Sequence, residues 1–195
     1  MKRTRILILM ICLLMTANAA LLSFANSTDA AFSDVKQGDW FAELVNEAAG
    51  RGIVSGYPDG TFRPNNKITR AEFTTICVQF SKVKEGSYSF PDVAPNYWAK
   101  PFIDISVFNQ WCMGYTDGTF RPENYITRAE AATIINNMLG REPDVNYIES
   151  HYSKIKHFTD LTDHKLWYFY EICEAANAHG YTRPESKAEK WTGLN

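Results

Sequence analysis

Apolar residues recur at helical spacing in two stretches of the chain that lie 58 residues apart. In each stretch four apolar positions follow the order i, i+3, i+4 and i+7, which places them on one face of an α-helix. The pattern predicts an amphipathic helix after Thr69 and another after Thr127. The buried faces are expected to contain Phe73, Ile76, Cys77 and Phe80 in the first helix, and Ala131, Ile134, Ile135 and Met138 in the second.

A shorter helix is predicted ahead of each amphipathic one, at a stretch that begins with a tryptophan. Trp40 begins the first stretch and Trp98 the second, and Trp167 lies at the second position of a third stretch, which covers residues 166–178. Asp39 is placed to cap the first of these helices. We expect the tryptophans on helix faces, where core packing and ligand contact are both open roles.

Two sequence motifs recur with the same internal spacing. Gly-Tyr-x-Asp-Gly-Thr-Phe-Arg-Pro stands at residues 56–64 and 114–122, and Ile-Thr-Arg-Ala-Glu stands at residues 68–72 and 126–130. Duplication of both motifs in the same order indicates that the chain is built from repeated units.

The chain also contains an altered third copy of this unit. Each of the first two copies opens with Phe-x-Asp-Val, eight residues before its tryptophan, and residues 158–161 match that opening as Phe-Thr-Asp-Leu. The third copy keeps Gly180-Tyr181 but lacks the Thr-Arg-Ala-Glu motif. We therefore predict a repeat at 32–86, a second at 87–142 and a divergent third at 143–195.

Local chemistry accounts for much of the repeated motif. Its Asp-Gly pairs are predicted turn residues, because glycine adopts positive φ without strain. Its arginines, Arg63 and Arg121, are expected to form salt bridges to a neighbouring repeat. The Thr-x-x-Glu pattern predicts capping boxes at the starts of both amphipathic helices, formed by Thr69 with Glu72 and by Thr127 with Glu130.

The first 25 residues have the layout of a secretory signal peptide, with three basic residues followed by an apolar run. Cleavage after Ala19 and cleavage after Ala25 both fit the small-residue rule, and a retained membrane anchor is the alternative. Residues 26–31 are expected to be a polar linker. After cleavage we expect no stable membrane insertion, since no other stretch is long and apolar enough to span a bilayer.

Charge and motif content exclude several classes of function. Without the three basic residues of the signal, 17 basic and 22 acidic residues remain, a net charge of −5, which disfavours nucleic acid as a partner. The sequence contains no recognisable catalytic motif, so we expect no enzyme and no cofactor. The histidines match no metal signature. Cys77, Cys112 and Cys173 each have apolar neighbours and are predicted to be buried and unpaired.

A helix pair of this size cannot bury its own apolar face, whereas three pairs packed together can. The sequence therefore predicts one all-α domain with approximate threefold symmetry within a single chain.

Taken together, these motifs resemble the S-layer homology (SLH) module of bacterial cell-surface proteins, from residue 32 to about residue 194. The resemblance implies a pseudo-trimeric, three-pronged bundle of three helix-loop-helix repeats. It also implies non-covalent binding to secondary cell-wall polysaccharide, which often carries a pyruvate ketal, in grooves between neighbouring repeats. The expected location is secreted, at the cell wall or cell surface.

A pyruvylated sugar presents a carboxylate on a hydroxyl-rich ring, so its site needs a fixed cation, hydrogen-bond donors and a flat apolar surface. Arg70 and Arg128 each begin a helix, and a guanidinium can bind a carboxylate through two parallel bonds. By the resemblance, Arg70 faces the helix of Trp98 and Arg128 faces Trp167. The candidate polysaccharide-binding residues are Arg70, Arg128, Trp40, Trp98, Trp167, Tyr57, Tyr115, Glu72 and Glu130.

The main alternative function is structural, in a surface layer or other assembly whose repeats bind protein neighbours. An SLH region usually anchors another domain, and no such cargo is recognisable in the sequence. The biological purpose of the attachment therefore stays open at this point.

Overall fold

The structure is a computed structural model that describes residues 31–183 and 189–195. The predicted signal peptide and residues 26–30 of the predicted linker lie outside the described residues. Within the described part of the chain, the helices are all too short or too polar to cross a membrane.

The described residues form a mostly helical fold with one small antiparallel sheet, which confirms the helical prediction and adds a hairpin to it. The hairpin strands pair His179 with Leu194 and Thr182 with Lys190. The elements are α1 (Ala42–Gly50), α2 (Arg70–Ser81), α3 (Lys100–Phe108), α4 (Arg128–Leu139), α5 (Val145–Ser150), a 3-10 helix (Tyr152–Lys154), α6 (Phe169–Ala176), β1 (His179–Thr182) and β2 (Lys190–Leu194).

The chain divides into two compact units between Lys67 and Ile68. The described part of the first unit has a small core in which the Phe-x-Asp-Val turn packs against α1. That turn is closed by a bond from the Val35 amide to the Phe32 carbonyl, 3.2 Å long. The core residues are Phe32, Val35, Ala42 and Val45.

In the second unit, α2 packs against α3 and α4 packs against α6. Burial of the amphipathic faces agrees with the predicted periodicity, although Ile76, Phe80 and Met138 are only partly buried. The three cysteines are buried and free, as predicted. The predicted face residues that are buried are Phe73, Cys77, Ala131, Ile134 and Ile135.

The C-terminal hairpin completes the core of the divergent third segment, where the Thr-Arg-Ala-Glu helix is missing. Trp191 of β2 is 5% exposed, and its Nε1 donates to Glu174 of α6 over 2.8 Å. The Leu161 amide donates to the Phe158 carbonyl over 3.0 Å, as in the equivalent turns of the first two repeats. The core of this segment is Ile148, Ile155, Leu161, Phe169, Cys173 and Trp191.

The predicted placement of the tryptophans on helix faces is wrong. Each short helix begins two residues after its tryptophan, and Trp40, Trp98 and Trp167 are 68%, 54% and 63% exposed. Asp39 does not cap α1, because its carboxylate accepts the Lys36 amide instead. Core packing is therefore excluded as the role of these three tryptophans.

Candidate functional site

The repeated turn folds in the same way in both copies. In the second copy the Tyr115 amide donates to the Thr119 carbonyl over 2.8 Å, and the Asp117 carboxylate accepts from both the amide and the hydroxyl of Thr119. The first copy reproduces these bonds with Asp59 and Thr61. The Asp-Gly pairs are turn residues, as predicted.

The aspartate of the Phe-x-Asp-Val motif ties the start of each repeat to its turn. Asp92 accepts the amides of Phe120 and Arg121, over 2.9 and 2.7 Å. Asp34 does the same in the first repeat, and these bonds lower the pKa of its carboxyl. Sequence reasoning gave this residue no role. Its fixed place in the first two opening motifs, 28 residues before the first amide it accepts, was the available signal.

The motif arginines pair within their own turns, so the expected bridges to a neighbouring repeat are wrong. Arg63 reaches Asp59 over 2.7 Å and Arg121 reaches Asp117 over 2.6 Å, because the arginine in each turn has positive φ and folds back. Hydrogen bonds from Thr61 and Arg63 lower the pKa of Asp59 to about 2. In each turn the arginine therefore forms its ion pair with the aspartate of the same turn.

Both predicted capping boxes are present. In α2 the Thr69 side chain accepts the Glu72 amide while Glu72 accepts the Thr69 amide. Thr127 and Glu130 form the same reciprocal pair in α4. The two helices therefore begin where the motif predicts, and Arg70 and Arg128 each occupy the first helical position.

Arg70 is 3% exposed and is bound on all sides within the second unit. Its Nε donates to the Phe120 carbonyl over 3.0 Å, and its Nη2 donates to the Met113 carbonyl over 3.2 Å. Its Nη1 forms an ion pair with Glu130 over 2.8 Å. The Arg70 side chain thus faces the second repeat. In this structure its N–H groups donate to protein acceptors.

Glu130 connects Arg70 of the first repeat to the turn and the helix start of the second repeat. One carboxylate oxygen accepts from Arg70 and from the Tyr115 hydroxyl, and the other accepts from Thr127. Burial raises the pKa of this carboxyl, but the bonds from Tyr115 and Thr127 and the charge of Arg70 outweigh burial, so its pKa is lowered. Glu130 is therefore ionised and fully engaged at neutral pH.

The two arginines that the sequence treats as equivalent have different environments. Arg128 is exposed at the start of α4, whereas Arg70 is buried at the start of α2. Of the two arginines, Arg128 is therefore the one that is accessible to a ligand in solvent.

The candidate tyrosines lie beneath the turn arginines. The guanidinium of Arg63 lies 4.1 Å from the ring centre of Tyr57, and that of Arg121 lies 4.1 Å from the ring centre of Tyr115. Arg70 approaches the Tyr115 ring as well, at 4.6 Å. Because the Tyr115 hydroxyl donates to Glu130 over 2.6 Å, it acts here as an internal donor.

One group of potential metal ligands comes together among the described residues, at the C-terminal hairpin. Glu174, His179 and Glu189 are buried, with one ligand atom of each within 4.8 Å of the others. The guanidinium of Arg141 lies 2.5 Å from Glu174 and 3.3 Å from the His179 ring nitrogen. Arg183 pairs with Glu189 over 2.7 Å. Two guanidiniums thus balance the two carboxylates, and the group is an ion network in which arginine supplies the cation.

Comparison with known proteins agrees with the repeats found in the sequence. The S-layer homology domain model matches residues 31–74 and 89–132. It leaves the third segment unmatched, as its missing motif would predict.

Several known surface proteins are similar to this chain. Cell surface glycoprotein 1 of Acetivibrio thermocellus is 34% identical over 184 residues, covering 88% of this chain and 8% of the relative. The cellulosome-anchoring protein of the same organism is 32% identical over 174 residues, with 86% and 37% covered. The middle cell wall protein of Brevibacillus brevis is 32% identical over 130 residues, with 64% and 12% covered. The chain spans well under half the length of each of these relatives. With two matched repeats and relatives of this kind, the chain belongs to the S-layer homology domain proteins.

Proposed function

We propose that this chain attaches non-covalently to the bacterial cell wall, on the outer surface, by binding secondary cell-wall polysaccharide. The family and the cell-surface, cell-wall and anchoring names of its relatives support surface attachment. The proposed role is binding and not catalysis. The pseudo-trimeric, three-pronged arrangement of the repeats belongs to the same proposal.

The observation that carries the proposal is the exposure of one large aromatic residue at the same point of each repeat. Trp40, Trp98 and Trp167 each stand two residues before a short helix, and each is more than half exposed. Exposing an indole to water is unfavourable unless a partner covers it, and flat aromatic rings suit the apolar face of a sugar. Three such positions in one chain suit a polymer with repeating sugars.

Arg128 is the proposed contact for an acidic group on the polysaccharide, such as the carboxylate of a pyruvate ketal. It is exposed, it is the first residue of α4, and the positive end of the helix dipole adds to its charge. The helix that carries it packs against α6, which follows Trp167. In this proposal Arg70 and Glu130 hold the second repeat in shape, and Glu72 caps α2.

Purified cell-wall sacculi provide the test. The chain is expected to sediment with intact sacculi and to stay in solution with sacculi from which the polysaccharide has been removed chemically. Equal binding to both preparations would contradict the proposal and would favour the alternative, a structural role in which the repeats bind surface proteins.

A further inference from the structure

A polar cleft of about 270 Å³ lies between the C-terminal ends of α3 and α4, away from the capping boxes at the helix starts. Its volume is just below the usual range for pockets that hold drug-sized ligands, which suits a single sugar ring. The cleft is lined by Asn109, Gln110, Asn137, Gly140, Arg141 and Glu142.

Gln110 occupies a backbone position that favours glycine. Its φ is 60°, and its equivalent in the first repeat, 58 residues earlier, is Gly52 with a φ of 69°. In both repeats the following residue donates back into the helix over 2.9 Å, which is the hydrogen bond that closes a Schellman motif. A side chain at this position is disfavoured. The second repeat therefore has a side-chain amide at the cleft, at a backbone position where glycine would be less strained.

The two asparagines in the cleft are held by their nitrogen atoms. Nδ2 of Asn109 donates to the carbonyl of Ile105 over 2.8 Å, and Nδ2 of Asn137 donates to the carbonyl of Trp111 over 3.2 Å. Among the described residues, their Oδ1 atoms make no further hydrogen bond. Each amide is thus fixed in place with its acceptor atom available.

The electrostatic potential of the cleft is negative, which favours ligands that donate hydrogen bonds. Helices α3 and α4 both end at it, so the negative ends of two helix dipoles meet there. Glu142 adds a carboxylate, while the charge of Arg141 is engaged with Glu174 over 2.5 Å. A carboxylated sugar is disfavoured in such a cleft, and hydroxyl groups, which donate hydrogen bonds, are favoured. One carboxylate is too few for a calcium site.

We propose that this cleft binds a neutral, hydroxyl-bearing sugar residue of the wall polysaccharide, through the amides of Asn109, Gln110 and Asn137. The inference rests on the proposed function and assigns the neutral part of the polymer to a place separate from Arg128. The polysaccharide would then contact the second repeat at two points of opposite electrostatic character.

The test is a titration of the isotope-labelled full chain followed by NMR of its side-chain amide groups. N-acetylglucosamine is the neutral probe, glucuronate the anionic probe and calcium chloride the cation control. We expect saturable shifts of the Asn109, Gln110 and Asn137 amides with the neutral sugar alone. No shift, or an equal response to glucuronate or calcium, would overturn the proposal.

The matched variants are Gln110→Gly, which installs the residue found in the first repeat, and Gln79→Ala, which removes an exposed polar side chain from α2. Since glycine suits this backbone, Gln110→Gly should fold normally and bind the neutral sugar about fivefold more weakly, as expected for one lost hydrogen bond. Gln79→Ala should bind as the parent chain does. Equal affinity of the parent and Gln110→Gly would refute the assignment of the cleft.

Sedimentation with sacculi separates the two proposals. A chain that binds sacculi while showing no amide shifts would refute the cleft and leave the proposed function standing. A chain that shows the shifts but does not distinguish intact from stripped sacculi would refute the proposed function, and with it the wall polysaccharide as the source of the sugar, while the cleft would still be a site for neutral sugars.

Discussion

Arg70 and Glu130, sixty residues apart in the sequence, form a buried ion pair with 2.8 Å between Nη1 and Oε1. The pair joins the first turn of α2 to the first turn of α4, and the Arg70 side chain also donates to two carbonyls of the second repeat. The arginine of the first Thr-Arg-Ala-Glu motif therefore lies inside the protein. Simultaneous removal of Arg70 and Arg128 would therefore affect folding as well as binding, so the two substitutions need separate tests.

Replacing Arg70 by alanine is expected to destabilise the second unit by about 3–5 kcal/mol, because Glu130 and two backbone carbonyls lose their partner. Arg128→Ala is the matched control, since it changes the exposed arginine at the same helix position and should cost under about 0.5 kcal/mol. Urea unfolding followed by circular dichroism measures the free energy of unfolding of both variants. Equal stability of the two variants would contradict the structural role of Arg70.

Arg128→Ala is expected to weaken sedimentation with intact sacculi while its unfolding midpoint stays that of the parent chain. Loss of one charge-assisted contact corresponds to about 1.5–3 kcal/mol of binding free energy, or roughly a tenfold to hundredfold change in affinity. Lys67→Ala, also at an exposed position but outside the helix start, is the charge-matched control. Unchanged affinity of Arg128→Ala would remove this arginine from the proposed site.

The exposed tryptophans should contribute to binding and very little to stability. Trp98→Ala is expected to change the free energy of unfolding by under about 0.5 kcal/mol while lowering affinity for sacculi. Trp191→Ala provides the contrast, since it empties a buried position and should cost about 3–5 kcal/mol. Thermal unfolding and sedimentation on the same samples check both effects. A large loss of stability in Trp98→Ala would show that its ring supports the fold.

Stability should fall on acidification as Glu130 becomes protonated. The pKa of this carboxyl is lower in the folded chain than its ordinary value, because the bonds from Tyr115 and Thr127 and the charge of Arg70 outweigh burial. A lowered folded pKa means that the contribution to stability is complete above the ordinary value and is lost as the pH falls through the folded pKa. Urea unfolding between pH 3 and pH 7 measures how steeply the free energy of unfolding changes with pH. This slope should be smaller in Glu130→Gln. An identical slope in both proteins would exclude Glu130 as its source.

Local sequence patterns predicted the parts of this fold that depend on neighbouring residues. The capping boxes, the Asp-Gly turns and the amphipathic faces of α2 and α4 follow from spacing, because their partners lie within seven residues. Arg63 and Arg121 were assigned to distant partners, yet their pairs lie four residues away. The positive φ that lets each arginine fold back over its turn has no signature in the sequence.

The candidate site was harder to predict because it depends on contacts across the repeats. Burial of Arg70 requires Glu130 and the carbonyls of residues 113 and 120, which lie 43 to 60 residues away, and the motif alone does not indicate these contacts. The short helices were predicted to include the tryptophans, whereas each helix begins two residues after its tryptophan. The ion network at the hairpin combines Arg141, Glu174 and Glu189 at spacings that match no motif.

His179 should make the C-terminal hairpin sensitive to alkaline pH. Its ring is stacked on Trp191 at 3.7 Å, and its Nε2 lies 3.3 Å from Glu174 of α6 and 3.5 Å from Glu189 ahead of β2. Arg141, from the loop after α4, faces the same nitrogen and opposes its protonation. Burial also opposes the charged ring, but the hydrogen bond and charge of Glu174 outweigh both, so the pKa of His179 is raised.

A raised folded pKa means that the contribution of His179 to stability is complete below its ordinary value and is lost as the pH rises through the folded pKa. Amide exchange of residues 179–182 and 190–194 should therefore quicken between about pH 6 and pH 9 relative to α2, after correction for the intrinsic pH dependence of exchange. In His179→Gln, a neutral side chain of similar reach, that relative change should disappear. If the hairpin of the parent chain shows the same corrected protection across this range, the pair of His179 with Glu174 does not control its stability.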